Sequence, residues 1–384
     1  MLKIVEAFSG IGAQREALIK AQIKYKVLNT IEWDINAIYA YDQMHHTDNK
    51  PSEYSKEEIL KRISKYTLSP DGKKPFGPIG LKHLTEQKLQ LLYAAIVRNH
   101  NLCDITKVHG DDIPDDTDVL TYSFPCQDLS IAKNFQNLDS PGIDKGAGTR
   151  SGLLWEVERI LKEKEKESHP LPKFLLMENV NAINSPRHNP NFKLWRDELA
   201  EMGYVNKVYK GLQANNFGVP QARSRTFMLS VHSDKISELE IDDLNFKRKA
   251  NLSDYLRLGK YPNEEKIATP NFTPSRQKIY SDNKHLVENG KILSEFTNTI
   301  STKQDRNPNA GVIIENKKMR YLTPRECFLL MGFPEEKFDK LQNANNVDHF
   351  FKDTHAWKMA GNSIVVDVLV EIFKEIDRIK QEYF

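Results

Sequence analysis

Cysteine is scarce in these 384 residues: Cys103, Cys126 and Cys327 are all there is, and no two form a CxxC pair. That excludes a disulfide scaffold and a zinc-thiolate site, and it suits a reducing cytoplasm. No metal is expected. No apolar run reaches the ~20 residues that span a bilayer. The opening Met1-Leu2-Lys3-Ile4-Val5-Glu6 lacks the layout of a signal peptide, so no membrane partner is expected. Charge of one sign is also missing. The formal net charge is +2, so any surface for nucleic acid has to come from local segregation of Lys and Arg. There is no internal repeat. What is present in quantity is ordinary: 28% charged and 39% hydrophobic residues, the balance of a soluble globular chain long enough for two cores.

The chain is organised around Thr121-Tyr122-Ser123-Phe124-Pro125-Cys126-Gln127. Val119-Leu120-Thr121-Tyr122 reads as a buried strand, and Pro125, which has no N–H for a ladder, ends it. A thiol on the turn after a parallel strand sits where open α/β sheets bind ligands, a good address for a nucleophile. A small core residue is the plainer alternative.

Residues 4–8 predict a strand, Ser9-Gly10-Ile11-Gly12 a turn, and 13–21 a helix. Glycines let backbone approach a ligand, and the helix start offers free N–H groups. As a dinucleotide fingerprint the turn fails, because Arg15 holds the place of the third glycine. An ordinary tight turn fits too. A second strand over 26–31 ends in Glu32-Trp33-Asp34. An acidic residue at that spacing can accept from both hydroxyls of a ribose, with Trp33 as a flat face for a purine. Without the third glycine the pattern favours a nucleoside lacking phosphates, such as S-adenosylmethionine.

Residues 36–45 predict a helix, followed by a polar insert over about 46–100 with a helical run near Glu86–Arg98. His45 and His46 lack metal-ligand spacing and are expected at the surface. Residues 102–106 suggest another strand end, where Asp104 is either a purine-amine acceptor or a turn residue. Residues 128–148 form a loop long enough to act as a lid, hinged at Gly146-Ala147-Gly148, with Ser130, Thr149 and Arg150 able to meet phosphates. A helix over 152–164 precedes a buried strand, Phe174-Leu175-Leu176-Met177, which ends in Glu178-Asn179-Val180. This second carboxylate lies at a strand end of the same sheet as Cys126. A helix over 192–202 leads to strands over 205–212 and 226–231, around Gln221-Ala222-Arg223-Ser224-Arg225. Arg223 and Arg225 alternate, so one can face a site while the other supports it. From 233 to 318 periodicity fades, which marks a second domain of irregular β and loops. Arg320 to Met331 returns to a helical pattern. Gly361-Asn362-Ser363 then caps a last helix over 364–379.

Taken in order, these segments resemble the cytosine-5 DNA methyltransferases: Phe8-Ser9-Gly10-Ile11-Gly12, Glu32-Trp33, Asp104-Ile105, Phe124-Pro125-Cys126-Gln127, Glu178-Asn179-Val180, Gln221 to Arg225, Arg320 to Met331 and Gly361-Asn362-Ser363. The catalytic and cofactor segments are most similar to CpG-methylating enzymes of mollicutes, which does not transfer the target sequence. The resemblance implies an α/β, Rossmann-like domain with a mixed, mainly parallel sheet over 1–232, completed by 319–384. A smaller target-recognition domain falls over 233–318, facing the first across a DNA cleft. Thr299-Ile300-Ser301 resembles the family's recognition motif, with Lys303, Gln304, Arg306 and Asn307 beside it.

By the same resemblance Cys126, Glu178, Arg223 and Arg225 are catalytic. Phe8, Ser9, Gly10, Ile11, Gly12, Glu32, Trp33, Asp104, Ile105, Pro125, Asn362 and Ser363 hold S-adenosyl-L-methionine. Gln127, Ser130, Thr149, Arg150, Thr299, Ser301, Lys303, Gln304 and Arg306 contact double-stranded DNA. The expected enzyme is a cytoplasmic monomer, with a restriction endonuclease as a functional rather than physical partner. Three rivals remain. A tRNA-directed member of the superfamily carries a Cys-Phe-Thr signature, absent here. A non-catalytic DNA-binding regulator has no need of Cys126, Glu178 and Arg225 together. A nicotinamide oxidoreductase needs the missing third glycine.

Overall fold

A computed structural model describes residues 1–125, 143–144, 150–235, 239–271 and 273–384. The chain opens with β1 (Leu2–Ala7), α1 (Ala13–Lys20), β2 (Tyr25–Ile31) and α2 (Ile35–His45). The insert contributes α3 (Lys56–Ile63) and α4 (Glu86–Arg98). Then follow β3 (Val119–Tyr122), α5 (Leu154–Lys166), β4 (Phe174–Val180), α6 (Asn189–Glu201), β5 (Tyr204–Gln213), β6 (Gln221–Ala222) and β7 (Ser224–His232). Six strands form one sheet in the order β2-β1-β3-β4-β7-β5. β1 runs parallel to β2 and β3, and β3 to β4, while β7 is antiparallel to both β4 and β5. The mixed, mainly parallel α/β sheet is as expected.

Strand alternation sorts the apolar side chains between two faces. Leu2, Ile4, Val119, Phe174 and Leu176 join the core beneath α1 and α2. Their neighbours Val5, Leu120, Leu175 and Met177 join Leu161 and Trp195 of α5 and α6 on the other side. There the Trp195 indole N–H donates to the Tyr122 hydroxyl at 3.0 Å, so a polar group in an apolar layer is satisfied.

Beyond β7 lie α7 (Pro262–Ala268), α8 (Pro274–Asp282), β8 (His285–Glu288), β9 (Lys291–Ile292), β10 (Thr297–Asn298), β11 (Val312–Glu315) and β12 (Lys318–Tyr321). A small second sheet has the order β12-β11-β8-β9, and β10 pairs with β6. The chain ends with α9 (Pro324–Leu329), α10 (Glu335–Asp348), α11 (Asp353–Asn362) and α12 (Val366–Tyr383). α12 returns to the large sheet, and its Val366, Leu369, Ile372, Phe373 and Ile376 share one core with α1. The start of the 233–318 stretch follows it. Asp242 N–H donates to Glu375 at 2.8 Å and Arg248 pairs with Glu371 at 2.8 Å, so this part lies on α12 rather than on the second sheet.

Three local expectations fail. Residues 102–106 make no strand: Leu102 N–H reaches Thr30 O at 2.9 Å, but Cys103, at φ 65, turns the chain out of line into a 3₁₀ turn. Arg320 belongs to β12, and the helix starts at Pro324, where Thr323 and Glu326 form a capping box. Gly361-Asn362-Ser363 closes α11 instead of capping the last helix, which begins only at Val366. Among the described residues no helix is long and apolar enough to cross a membrane.

Candidate active site

β1 lies between β2 and β3, so successive connections leave it in opposite directions and open a crevice at the strand ends. The turn above β1 is tightly wound: Phe8, Gly10 and Gly12 have φ of 57, 53 and 80. Gly12 is required twice over, by its positive φ and because a Cβ there would lie 2.4 Å from His45 Nε2. The same nitrogen sits 2.9 Å from Ile11 O, so the ring braces the turn. His45 is therefore buried and not at the surface. Burial, then Lys337 and Arg15, hold its pKa well below the ordinary value, so it is neutral. His46 is half-buried, with Nε2 2.8 Å from Asn99 Oδ1. Both corrections have one cause: α2 is packed against α4 and α10, which a local reading of two adjacent histidines cannot register.

At the end of β2 the Glu32 carboxylate gathers backbone N–H groups. Oε2 accepts from Gly10 at 3.0 Å, and Oε1 from Trp33 at 2.9 Å and Asp34 at 2.8 Å. Burial, with Asp34 nearby, still pushes its pKa up to about 7. Asn101, which no sequence signal picks out, holds the Glu32 backbone from both sides: Oδ1 accepts its N–H at 3.1 Å and Nδ2 donates to its C=O at 3.0 Å. Trp33 is half-buried beside it. Asp104 turns one oxygen back on its own segment at the surface, where Oδ1 takes the Thr106 N–H at 3.0 Å and hydroxyl at 2.9 Å, the role of a turn residue. Ile105 is buried in the core beneath.

Glu178, at the end of β4, faces Arg225 of the antiparallel neighbour β7, with Nε 3.2 Å from Oε1. Burial raises the Glu178 pKa, while Arg225 and then Arg223 oppose the rise. The next residue, Asn179, donates to Phe124 O at 3.1 Å and so ties the Ser123-Phe124-Pro125 turn to this carboxylate. Ser123, Thr121, Glu178, Gln14 and Ile364 line one small pocket. Strand ends β3 and β4 and the segment before α12 thus meet.

Arg223 has a different place. It is buried, and its guanidinium donates to the carbonyls of Ile300 at 3.0 Å, Gly361 at 3.2 Å and Ser363 at 2.8 Å. It is a positioning residue rather than a catalytic contact. Gln221 acts similarly, donating to Leu330 O at 2.7 Å and accepting from Ile300 N–H at 3.0 Å. Thr299 donates its hydroxyl to Ala222 O at 2.7 Å. Together these bonds seat Thr299-Ile300-Ser301 between β6 and α11, with a Gly361 Cβ only 2.5 Å short of Ser301. Asn362, one residue on, is exposed, and Ser363 is buried.

The profile of the C-5 cytosine-specific DNA methylases matches residues 79–378. The chain belongs to that family. The methylase is 33% identical over 385 residues to the Type II methyltransferase M2.ScrFI of Lactococcus lactis subsp. cremoris, covering 98% of this chain and 99% of the relative. It is likewise 33% identical over 394 residues to the Orphan methyltransferase M.SssI of Spiroplasma monobiae, covering 98% and 97%. Among solved structures, the Dnmt2 methyltransferase of S. pombe superposes with a TM-score of 0.63 at 18% identity over the whole of both chains. The fold and the activity, transfer of a methyl group to C5 of cytosine in DNA, are those of this family.

Four expected site residues of the methylase, Cys126, Gln127, Ser130 and Thr149, and the side chain of Arg150, lie outside the described residues. Lys303 and Arg306 are exposed, Arg306 pairing with Asp305 at 2.8 Å. Gln304 is not available to a base edge. It is fully buried, and its Oε1 accepts from Ala310 N–H at 3.3 Å, because the loop closes on itself at this position.

Proposed function

We propose that this methylase uses Cys126 as the nucleophile, Glu178 as the proton carrier and Arg225 as the oxyanion partner on a cytosine swung out of duplex DNA. The observation that carries this reading is the Glu178–Arg225 pair at the strand ends, tied through Asn179 to the turn that leads to Cys126. The other two cysteines do not compete. Cys103 and Cys327 are buried, and burial pushes both thiols up, away from the reactive thiolate.

Carbon 5 of cytosine is not nucleophilic until something adds at carbon 6. A thiolate suits this, being a good nucleophile and a good leaving group. As the S–C6 bond forms, Glu178 offers a proton at N3 and Arg225 holds O2, so charge pushed into the ring is met at both ends. The raised pKa of Glu178 favours the protonated form that this role needs. Carbon 5, so activated, takes the methyl group; loss of its proton then breaks the S–C6 bond and frees Cys126 as thiolate, and the N3 proton returns to Glu178. The target carbon is out of reach in a stacked duplex, so the base has to be flipped.

The crevice above β1 and β2 suits S-adenosyl-L-methionine. Gly10, with open space where a Cβ would stand, leaves the turn accessible, the Glu32 carboxylate at the end of β2 is suited to a ribose, and half-buried Trp33 and exposed Asn362 are its further expected contacts. Bound there, S-adenosyl-L-methionine supplies the methyl group and leaves as S-adenosyl-L-homocysteine. Residues 1–232 with 319–384 form the catalytic part, with the segment around Asp242 and Arg248 lying on its last helix, and the rest of 233–318 reads the target, with Thr299, Ser301, Lys303 and Arg306 toward double-stranded DNA. The enzyme acts as a cytoplasmic monomer within a restriction-modification pair, its endonuclease a separate protein. Bisulfite sequencing of plasmid DNA from cells expressing the chain tests this. Protected cytosines in one fixed context are expected, and uniform conversion overturns the reading.

A further inference from the structure

The geometry points to Lys358 as a positioning residue for the cofactor, fastening the 46–100 insert as a wall of its site. This rests on the cofactor reading above. The insert does not project away from the sheet. Its turn over 69–74 runs beside the end of β2, where Ser69 N–H donates to Trp33 O at 2.8 Å and Ile35 N–H donates to Ser69 O at 3.0 Å. Asn36 Nδ2 adds a bond to Pro70 O at 2.9 Å. Lys358, on α11, closes the arrangement. Its ammonium lies 2.9 Å from Asp34 Oδ2 and also donates to the Asp71 carbonyl, so one cation bridges the strand end and the insert. Gly72 completes the fit, at φ +64 with a Cβ position 3.1 Å from Asp34 Oδ2.

Two consequences follow from where these groups sit. Asp34 N–H donates to Glu32 Oε1 at 2.8 Å, so whatever holds Asp34 also holds the carboxylate expected to take the ribose. Lys358 also precedes Asn362 by four residues on α11, one helical turn along the same face. The bridge therefore ties α11, which carries Asn362, to the end of β2 that carries Glu32 and Trp33. With side-chain exposures of 18% and 10%, Lys358 and Asp34 are shielded enough for the pair to hold its geometry. The insert so placed serves cofactor affinity rather than DNA reading.

Calorimetric titration of S-adenosyl-L-methionine into the full chain tests this. Lys358→Met raises the cofactor Kd at least about fivefold, the low end of coupling between sites. Gly72→Ala, which strains the turn against Asp34, raises it in the same direction, and Lys358→Arg, which keeps the cation, stays near wild type. The duplex-DNA Kd and kcat at saturating cofactor hold in all three. An unchanged cofactor Kd in Lys358→Met and Gly72→Ala, with wild type binding normally, overturns the bridge alone. An equal rise in both Kd values makes Lys358 a general support and overturns it too. No binding by wild type overturns the cofactor reading beneath it.

Discussion

Arg225 places its Nε 3.2 Å from the Glu178 carboxylate across two antiparallel strands. The pair sets two opposed influences on one carboxyl, the one proposed above as the proton carrier. Burial alone favours the protonated form, and the guanidinium limits how far it is favoured. Glu178→Gln, which keeps the shape but cannot pass a proton, should lower kcat by about 10²–10⁴-fold. Arg225→Ala should lower it by about 10²–10³-fold. Arg223→Ala should act through stability, because three backbone carbonyls lose a shared donor. Single-turnover methylation beside urea unfolding separates the two arginines, and equal unfolding midpoints for both variants would contradict the division.

Cys126→Ser should abolish methyl transfer and retain cofactor and DNA binding. Duplex DNA carrying 5-fluorocytosine should trap a covalent complex with the active enzyme, since fluorine does not leave as a proton does. Denaturing gels read the adduct directly. Full activity of the serine variant, or no adduct with active enzyme, speaks against addition at carbon 6.

Glu32 and Glu6 both have pKa values pushed up to about 7 by burial, Glu6 with the Tyr41 hydroxyl donating to it at 2.8 Å. The signs for folding and for cofactor binding are opposite. A raised carboxyl pKa favours the folded state below the ordinary value of 4.5, and that advantage is lost as pH rises through about 7. Unfolding free energy should therefore fall between pH 5 and 8, and Glu6→Gln should flatten part of the slope. The proposed cofactor site uses Glu32 as an acceptor, so on that proposal the S-adenosyl-L-methionine KM should rise as pH drops below about 7. Glu32→Ala should raise that KM far more than the KM for DNA. A pH-independent cofactor KM in wild type removes Glu32 from the site.

Glu326 is fully buried and holds Arg320 at 2.8 Å, while also accepting the N–H groups of Thr323 at 2.8 Å and Arg257 at 2.9 Å. Removing Glu326 leaves the buried Arg320 with Glu265 alone, at 3.2 Å, and strands two backbone N–H groups. Glu326→Ala should cost about 3–5 kcal/mol, read as a drop in the urea midpoint, whereas Lys193→Ala, an exposed member of an i,i+4 pair with Asp197, should be near neutral.

What the sequence determined by itself is the set of local events along the chain. The turn at Ser9 to Gly12, the acidic strand ends at Glu32 and Glu178, and the alternation of Arg223 and Arg225 are all legible because each depends on neighbours a few residues away. Their order carried the family. What only the tertiary structure decided involves partners distant in sequence. His45 is buried because α2 is enclosed by α4 and α10, and Gln304 is lost to DNA because its loop folds over it. Asn101 grips Glu32 from 69 residues away, and Lys358 reaches Asp34 across 324. Such contacts belong to the assembled fold, since a side chain's partner depends on which segments packing brings together and not on its own propensity.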